Sequence, residues 1–384
     1  MLLDGEAVRI IDCDSHVIDP PDLWQTRLSR KHRDAGPKVL ADPDTGRDYW
    51  QVGPYRMPST AQSAYAGWEE PFPSTPPNLE QADPACFDPI ARVERLDEHG
   101  IDVQLLFPQI VGFQISTFAA LEHDLSVECI RAYNDFQTDF ASVAPDRLIP
   151  QMNLPLWDLD ASLAEMRRCA DLGHKAVNFG VELEELDLPS LRSGHWDPLL
   201  AQAQDLELPI VFHIGFSKVT TTAAMESKDP LHFVKGATLF MLGNANQIVE
   251  IILSGTAHRF PRLDFVSIES GFGYLPYLIE SLEWQYLNLG APVVHPEWLL
   301  PSEYFRRQIF ASFWFESTLH RQIDMYPDNA MFSSDFPHPT SLSPGPGSVA
   351  RNARETIEAN LADVAPDIRR KLLHDTAARV YHIN

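Results

Sequence analysis

The chain has 384 residues, of which 44% are hydrophobic, and its 54 acidic residues outnumber its 30 basic residues to give a formal net charge of −24. This apolar content suffices for a large core and argues against intrinsic disorder, whereas the acidic charge disfavours binding to nucleic acid or to an anionic membrane. The four cysteines form no CxxC pair, and the first residues lack the basic and apolar regions of a signal peptide. We therefore expect a cytoplasmic protein that acts on a small molecule, with no nucleic-acid or membrane partner.

Apolar runs typical of buried strands alternate with helical patterns along most of the chain. The predicted strands cover residues 8–13, 103–107, 148–154, 175–179, 209–214, 263–268, 308–315 and 330–334. The predicted helices cover residues 89–99, 121–144, 161–172, 198–206, 246–257, 274–286, 319–326, 353–363 and 366–381. Eight strands that alternate with helices, with no linker between them, predict an α/β fold consisting of one distorted (β/α)8 TIM barrel domain over residues 1–384. The alternative is an open doubly wound sheet, which the lack of a glycine-rich phosphate loop after the first strand disfavours.

Two segments interrupt this alternation. Residues 35–87, after the first strand, are rich in proline, glycine and aromatic residues, and residues 216–243, after the fifth strand, are also irregular. Segments of this length exceed the ordinary connections of a compact domain and are often functional. We expect both insertions to lie over the barrel mouth, where the aromatic residues between Trp50 and Phe72 would supply an apolar wall.

Polar residues follow or end three of the predicted strands. Asp14 and His16 follow the first strand, His213 lies in the fifth, and Asp335 follows the eighth. Because the carboxyl ends of barrel strands surround a common mouth, we expect these side chains to converge. Two imidazoles and two carboxylates without sulfur suit Zn²⁺ or Mn²⁺ held with an open coordination position. Each residue alone has an ordinary structural explanation, but their joint occurrence predicts a metal centre.

Several segments of the sequence resemble the amidohydrolase superfamily, and within it the branch similar to aminocarboxymuconate-semialdehyde decarboxylase. The most specific segments are IIDCDSH at residues 10–16, FHIG at residues 212–215 and SSDFPHP at residues 333–339. The resemblance implies a distorted barrel that binds one divalent metal ion through Asp14, His16, His213 and Asp335. The sequence departs from the prototype of that branch in having DxH instead of HxH on the first strand. It also has Glu269 where the prototype has a catalytic histidine after the sixth strand.

Two residues are candidates for the acid or base of the reaction, because a carboxyl or an imidazole beside a metal ion can transfer a proton near neutral pH. These are Glu269, which could otherwise orient a metal-bound histidine, and His338, which lies three residues after Asp335. Asp335 itself is a candidate catalytic base toward a water molecule. The candidate substrate contacts near the barrel mouth are Asn178, His195 and Trp314.

These features favour a divalent-metal-dependent nonoxidative decarboxylase of an aromatic or unsaturated cyclic carboxylic acid. The first alternative uses the same residues for hydrolysis of a lactone, ester, amide or C–C bond, with Asp335 deprotonating a metal-activated water. The second alternative is a barrel retained as a non-catalytic scaffold. The family resemblance and the long insertion also favour a homodimer or a higher homo-oligomer.

Overall fold

The computed structural model describes residues 2–3, 6–57, 59–216, 230–343, 345–346 and 348–383. Contacts within the chain divide it into two compact units. The first consists of Met1–Lys175 with Ser333–Ala359, and the second consists of Ala176–Phe332 with Asn360–Asn384. The prediction of a single domain over residues 1–384 stays a prediction.

The first unit contains three neighbouring parallel strands, β1 (Ile11–His16), β2 (Val103–Phe107) and β3 (Leu148–Pro150). All of their residues are buried, as in parallel sheets that are covered on both faces. Strand β1 begins three residues later than predicted and includes the candidate residues Asp14 and His16. The prediction was wrong here because polar residues end a strand only where water covers them, and this polar run is buried.

The second unit contains five parallel strands that lie side by side in chain order. They are β4 (Val177–Phe179), β5 (Ile210–His213), β6 (Phe265–Ile268), β7 (Ile309–Phe313) and β8 (Ala330–Phe332). Together with the three strands of the first unit, they correspond to the eight predicted strands. Each of them is buried along its whole length, which explains why continuous apolar runs located them in the sequence.

Most of the predicted helices start and end close to the predicted positions, and the structure contains further helices that were not predicted, among them Leu23–Arg27, Ile110–Phe113, Ile115–Ala119, Pro230–Phe240, Ala291–Val294 and Pro301–Gln308. Their bounds are Leu23–Arg27, Pro89–His99, Ile110–Phe113, Ile115–Ala119, His123–Ala141, Leu159–Asp171, Asp197–Asp205, Pro230–Phe240, Asn244–Leu253, Thr256–Arg259, Leu275–Asn288, Ala291–Val294, Pro301–Gln308, Ala353–Asn360, Pro366–Arg370 and Thr376–Val380. The Asp88 carboxylate caps the helix Pro89–His99, and Gly100 ends it with a φ of 69° that favours glycine.

One predicted helix is replaced by tighter turns, and another contains a wider turn. Residues 319–326 form two short 3₁₀ turns, Leu319–Arg321 and Ile323–Met325, and the last predicted helix contains a π turn at Lys371–Asp375. Further 3₁₀ turns cover Leu79–Gln81, Pro84–Cys86, Leu183–Leu186 and Leu191–Ser193.

The first insertion, residues 35–87, contains a small β-sheet that was not predicted from the sequence. Its strands Lys38–Ala41, Asp48–Val52 and Tyr55–Met57 form a three-stranded antiparallel sheet. The second insertion contains the helix Pro230–Phe240, while its residues 217–229 lie outside the described part of the chain. Two short strands, Leu2–Leu3 and Glu6–Ala7, pair with each other, and a further two-residue strand, Met152–Asn153, follows the third strand along the chain.

One helical stretch among the described residues, Val234–Leu253, is long and apolar enough to cross a membrane on length and composition. Core helices of soluble proteins satisfy the same criteria. The stretch is divided between the helices Pro230–Phe240 and Asn244–Leu253, and the second of these buries Ile248, Ile251 and Ile252 in the core.

Candidate metal-binding and catalytic site

The first unit holds Asp14, His16 and Asp335 together by backbone pairing. The segment that follows β8 runs along β1: the Asp335 amide donates to the Asp14 carbonyl at 2.9 Å, and the His16 amide donates to the Phe336 carbonyl at 2.6 Å. Residues that are 320 positions apart in the chain are therefore fixed side by side. All three candidate side chains are fully buried.

The His16 imidazole lies close to the carboxylates of Asp14 and Asp335. His16 Nε2 lies 3.6 Å from Asp14 Oδ1 and 3.8 Å from Asp335 Oδ1. The other ring nitrogen, Nδ1, is 3.0 Å from the Pro108 carbonyl, to which only an N–H can donate. A neutral His16 therefore directs the lone pair of Nε2 toward two carboxylates. Imidazole and carboxylate acceptors that converge in a buried group suit a cation, and a ligand histidine held by a backbone carbonyl is the usual arrangement at a metal.

His338 contacts this group from the loop after β8. Its Nδ1 is 2.8 Å from Asp335 Oδ1, and its ring stacks on His16 with centroids 3.9 Å apart. Its Nε2 lies 2.9 Å from the side-chain oxygen of Gln109, whose amide nitrogen donates to Ser63 Oγ at 2.7 Å. Burial lowers the pKa of His338 to about 4. A neutral ring has one N–H and can donate to only one of these two acceptors; donation from Nδ1 to the Asp335 carboxylate suits a residue that orients Asp335.

Asp12 was not among the predicted site residues. It connects β1, which carries Asp14 and His16, with the segment after β8, which carries Asp335. One carboxylate oxygen accepts from the backbone amides of Asp14 and Ser334, at 3.2 and 2.8 Å. The other accepts from Ser334 Oγ at 2.5 Å and from the Gln104 side chain at 2.8 Å. Burial raises the pKa of Asp12 to about 7, and the four hydrogen bonds oppose that rise. An acidic residue two positions before Asp14 in a buried strand was the signal that could have found it.

Arg92 supports the same strand from behind and was also missed. Its guanidinium is fully buried and donates to the carbonyls of His16 and Ala85, at 2.7 and 2.6 Å, and to the Gln104 side chain at 3.3 Å. It also lies over the Phe336 ring, 4.3 Å from the centroid. These contacts fix the end of β1 where His16 lies.

Two phenyl rings of the first unit lie near His16, one at the end of β2 and one in the helix Ile110–Phe113. The centroids of Phe107 and Phe113 are 5.8 and 5.6 Å from that of His16. The role of the insertion as an apolar wall stays a prediction. Its Trp50 packs edge-on against Trp24 in the core, with centroids 5.0 Å apart. Another part of the insertion contacts the loop after β8, where the Pro337 carbonyl accepts from two of its backbone amides.

The second unit brings His213 and Glu269 together. His213 ends β5, and its Nδ1 lies 2.6 Å from the Ile214 carbonyl, so its Nε2 faces Glu269 Oε2 at 3.3 Å. The His213 ring stacks on Phe216 with centroids 4.7 Å apart. Glu269 directly follows β6 and is nearly buried. This imidazole has the same arrangement as His16, with Nδ1 held by a backbone carbonyl and Nε2 directed at a carboxylate.

Glu269 and Asp335 share an uncommon backbone conformation. Their φ angles are 54° and 57°, in the left-handed region that residues other than glycine rarely adopt. Such conformations cost roughly 1–3 kcal/mol and persist where surrounding contacts enforce them, commonly at functional sites. The Glu269 amide is held by Ser312 Oγ at 3.0 Å, and the Asp335 amide is held by Asp14.

Glu316, after β7, fixes the loop that follows Glu269. One of its carboxylate oxygens accepts from the amides of Phe272 and Gly273, at 2.5 and 3.0 Å, and the other accepts from the Trp314 amide at 3.1 Å. Burial raises its pKa, and the backbone hydrogen bonds oppose the rise. Gly271, with φ of 71°, approaches the same carboxylate so closely that a Cβ there would lie 3.0 Å from Oε1.

The three candidate substrate contacts have different environments, all within the second unit. Asn178 is buried in the middle of β4, and Trp314 is buried directly after β7. His195 is exposed, and its ring packs edge-on against Trp196 with centroids 4.8 Å apart. Their role toward a substrate stays a prediction.

Comparison with known proteins identifies the family. The amidohydrolase family model matches residues 11–383. A gamma-resorcylate decarboxylase from Rhizobium sp. (strain MTP-10005) is 24% identical over 260 residues, which cover 64% of this chain and 76% of that protein.

Two solved structures share the fold across nearly the whole chain. An amidohydrolase from Mycobacterium avium subsp. paratuberculosis K-10 has a TM-score of 0.77 and 20% identity, covering 98% of this chain and 100% of its own. A dihydroxybenzoic acid decarboxylase from Polaromonas sp. JS666, solved with manganese and 2-nitroresorcinol, has a TM-score of 0.62 and 17% identity, covering 98% of each chain. The predicted fold class and resemblance are therefore confirmed. The chain belongs to the amidohydrolase family, has its TIM-barrel fold and is an enzyme of that superfamily.

Proposed function

We propose that this enzyme is a divalent-metal-dependent nonoxidative decarboxylase of an aromatic or unsaturated cyclic carboxylic acid. The observation that carries the proposal is the shared state of His16 and His213. Each imidazole is fixed through Nδ1 by a backbone carbonyl and directs Nε2 at buried carboxylate oxygens. That arrangement suits a bound cation, because a metal-ligating histidine usually donates its other ring N–H to a carbonyl or a carboxylate.

We assign one divalent metal ion to Asp14, His16, His213 and Asp335. The assignment is supported by the donor chemistry found within each unit and by membership of the amidohydrolase family. Two carboxylates and two imidazoles bind either Zn²⁺ or Mn²⁺. Manganese is the first metal to test, because a similar decarboxylase was solved with that ion. An ion held there would supply positive charge that binds the substrate carboxylate and stabilises negative charge on the substrate.

We assign the proton transfer to Glu269 and the orientation of Asp335 to His338. The Nδ1 atom of His338 lies 2.8 Å from Asp335 Oδ1, so an N–H there is placed to hold that carboxylate. Glu269 would donate its carboxyl proton to the ring carbon that carries the substrate carboxylate. The bond between that carbon and the carboxyl carbon then breaks to release CO₂, and water restores the proton of Glu269.

The proposal is supported by the decarboxylation reactions named for similar proteins, one acting on gamma-resorcylate and another on a dihydroxybenzoic acid. The phenyl rings of Phe107 and Phe113 beside His16 suit a planar ring substrate. We expect an acid with a hydroxyl or carbonyl oxygen next to the carboxylate, because two adjacent oxygens can chelate one ion.

Metal removal and product analysis test this function. The protein is treated with a chelator, reloaded with Mn²⁺ or Zn²⁺, and incubated with a panel of hydroxybenzoates and unsaturated cyclic acids in ¹⁸O-labelled water. We expect CO₂ release that requires the metal and that is lost in Asp14→Asn and His213→Asn. His123→Asn, at an exposed histidine of the first unit, serves as the matched control and should keep the wild-type rate.

Two results would contradict the proposal. Full activity of the metal-free protein would exclude the assigned centre. Labelled oxygen in the products without CO₂ release would show that Asp335 activates water in a hydrolytic reaction.

A further inference from the structure

Asn244 is a fully buried residue whose side chain contacts the carboxyl ends of two neighbouring strands. Its nitrogen Nδ2 lies 3.2 Å from the Phe212 carbonyl in β5 and 2.9 Å from the Ile268 carbonyl in β6. A backbone carbonyl can only accept a hydrogen bond, so the nitrogen of the Asn244 amide, and not its oxygen, must face both strands. The two carbonyls belong to the residues directly before His213 and Glu269.

The Ile268 carbonyl has a weak partner within the sheet. The Ile214 amide, directly after β5, lies 3.5 Å from it, which is too long for a good N–H···O hydrogen bond. A buried carbonyl without a good donor is unfavourable, and Asn244 supplies that donor at 2.9 Å. The side chain therefore completes the pairing of β5 with β6 at the point where β6 ends and Glu269 begins the next loop.

The residues on both sides of Glu269 are bonded to one short segment of the chain. Before Glu269, the Ile268 carbonyl accepts from Asn244. After it, the Ser270 hydroxyl donates to the carbonyl of Met241, three residues before Asn244. Glu269 has a φ of 54°, and such a conformation persists only where surrounding contacts enforce it. These two contacts enforce it from both sides.

We infer that Asn244 is a positioning residue that sets the geometry between His213 and Glu269. The inference rests on the proposed function, in which His213 binds the metal ion and Glu269 transfers the proton. The Ile214 carbonyl fixes the His213 ring, and His213 Nε2 lies 3.3 Å from Glu269 Oε2. The Ser312 hydroxyl fixes the Glu269 amide. Asn244, by contrast, is bonded to both strand ends and therefore fixes one side chain relative to the other.

Asn329 offers a matched comparison at the opposite end of the same strands. It is buried, and its Nδ2 lies near three acceptors, as that of Asn244 does when Ser267 Oγ at 3.0 Å is included. The acceptors of Asn329 are the carbonyls of Phe305, Arg306 and Ile309, at 3.0, 3.3 and 2.9 Å. Asn329 directly precedes β8, at the amino end of the strand. Loss of its side chain should therefore lower stability without moving His213 or Glu269.

Comparison of Asn244→Ala with Asn329→Ala tests the inference. Chelator-treated protein is titrated with Mn²⁺, and kcat, KM and the melting temperature are measured at saturating Mn²⁺ on the same preparations. In Asn244→Ala, the dissociation constant for Mn²⁺ should rise and kcat should fall, each by about 10-fold, while KM changes little. In Asn329→Ala, the melting temperature should fall as far, but the Mn²⁺ affinity and kcat should be those of the wild type.

A second variant covers the case in which Asn244→Ala does not fold. Asn244→Ser keeps one hydrogen-bond donor, which can serve one of the two carbonyls but not both. Its Mn²⁺ affinity and kcat should therefore still lie below those of the wild type. Wild-type Mn²⁺ affinity and kcat in either Asn244 variant, or equal losses in Asn329→Ala, would overturn the inference.

Failure of the proposed function would give a different result. A wild type that binds Mn²⁺ but releases no CO₂ from any acid in the panel would contradict decarboxylation. The Mn²⁺ dissociation constants of the Asn244 and Asn329 variants would still decide whether Asn244 positions the site.

Discussion

The conformation of Glu269 should depend on Glu316, although the two side chains belong to different strand ends. The Glu316 carboxylate accepts three backbone hydrogen bonds, two from the loop after Glu269 and one from Trp314. Glu269 itself has a φ of 54°, which is unfavourable by about 1–2 kcal/mol for a residue with a side chain. Contacts along this loop must therefore offset that cost.

We expect Glu316→Gln to lower both stability and turnover. The amide oxygen can replace one carboxylate oxygen, but the amide nitrogen must then face a backbone N–H. One unsatisfied donor costs about 1–3 kcal/mol, at the lower end here because Glu316 is only partly buried. If the weakened loop lets Glu269 leave its unfavourable conformation, the roughly 1–2 kcal/mol that holds this residue in place is lost. A loss of that size lowers kcat by about 10-fold. KM should change much less, since the assigned metal ligands are unaltered.

The control for this variant is Glu165→Gln. Glu165 is also buried and hydrogen-bonded, to Arg168 and Asn134, but it lies on the helix Leu159–Asp171 of the first unit. The Glu165→Gln variant should have a lower melting temperature and an unchanged kcat. Steady-state kinetics on the substrate found by the screen, with thermal unfolding of the same samples, provide the comparison. A Glu316→Gln variant that melts earlier but keeps the wild-type kcat would refute the reasoning.

Three further predictions address stability and substrate charge. Burial lowers the pKa of His174 to about 4 from 6.5, so the stability it contributes as a neutral ring is present above pH 6.5 and is lost as the pH falls toward 4. Between pH 7 and pH 5, the free energy of unfolding measured in urea should fall by about 2 kcal/mol more for the wild type than for His174→Gln. Equal decreases for the two proteins would contradict this prediction. Arg92→Lys cannot reproduce the hydrogen bonds of the planar guanidinium and should lower the free energy of unfolding by about 3 kcal/mol in the same assay. An unchanged unfolding midpoint would show that these hydrogen bonds are dispensable. For an anionic substrate, kcat/KM should rise with ionic strength because a chain of charge −24 repels it, and a flat response would indicate a neutral substrate.

The eight strands were predictable because most of them are continuous apolar runs that end at glycine or a polar residue. Strand β1 was displaced because Asp12, Asp14 and His16 occupy its interior, where the fold tolerates polarity only by satisfying it with Ser334, Gln104 and Pro108. Local pattern cannot reveal such partners. The antiparallel sheet at residues 38–57 had a local signal, since Gly46 and Gly53, with φ of 70° and 54°, lie in its two turns.

The candidate ligands were predictable from residue type and position at the strand ends, whereas the residues that hold them were not. Arg92, Gln109 and Glu316 act through contacts with segments that are distant in sequence. Each is an ordinary residue in its own helix or loop pattern. Their roles become visible only when the backbone and side-chain groups that they bind are placed in three dimensions.

The most direct test of the central claim is the reaction in D₂O, followed by NMR of the product. The manganese-loaded enzyme should release one CO₂ for each deuterium incorporated at the ring carbon that loses the carboxylate. Glu269→Gln should abolish both events while still binding the metal ion in stoichiometric amount. Wild-type deuterium incorporation by Glu269→Gln, or product formation without deuterium at that carbon, would contradict the assignment of a metal-dependent decarboxylase in which Glu269 delivers the proton.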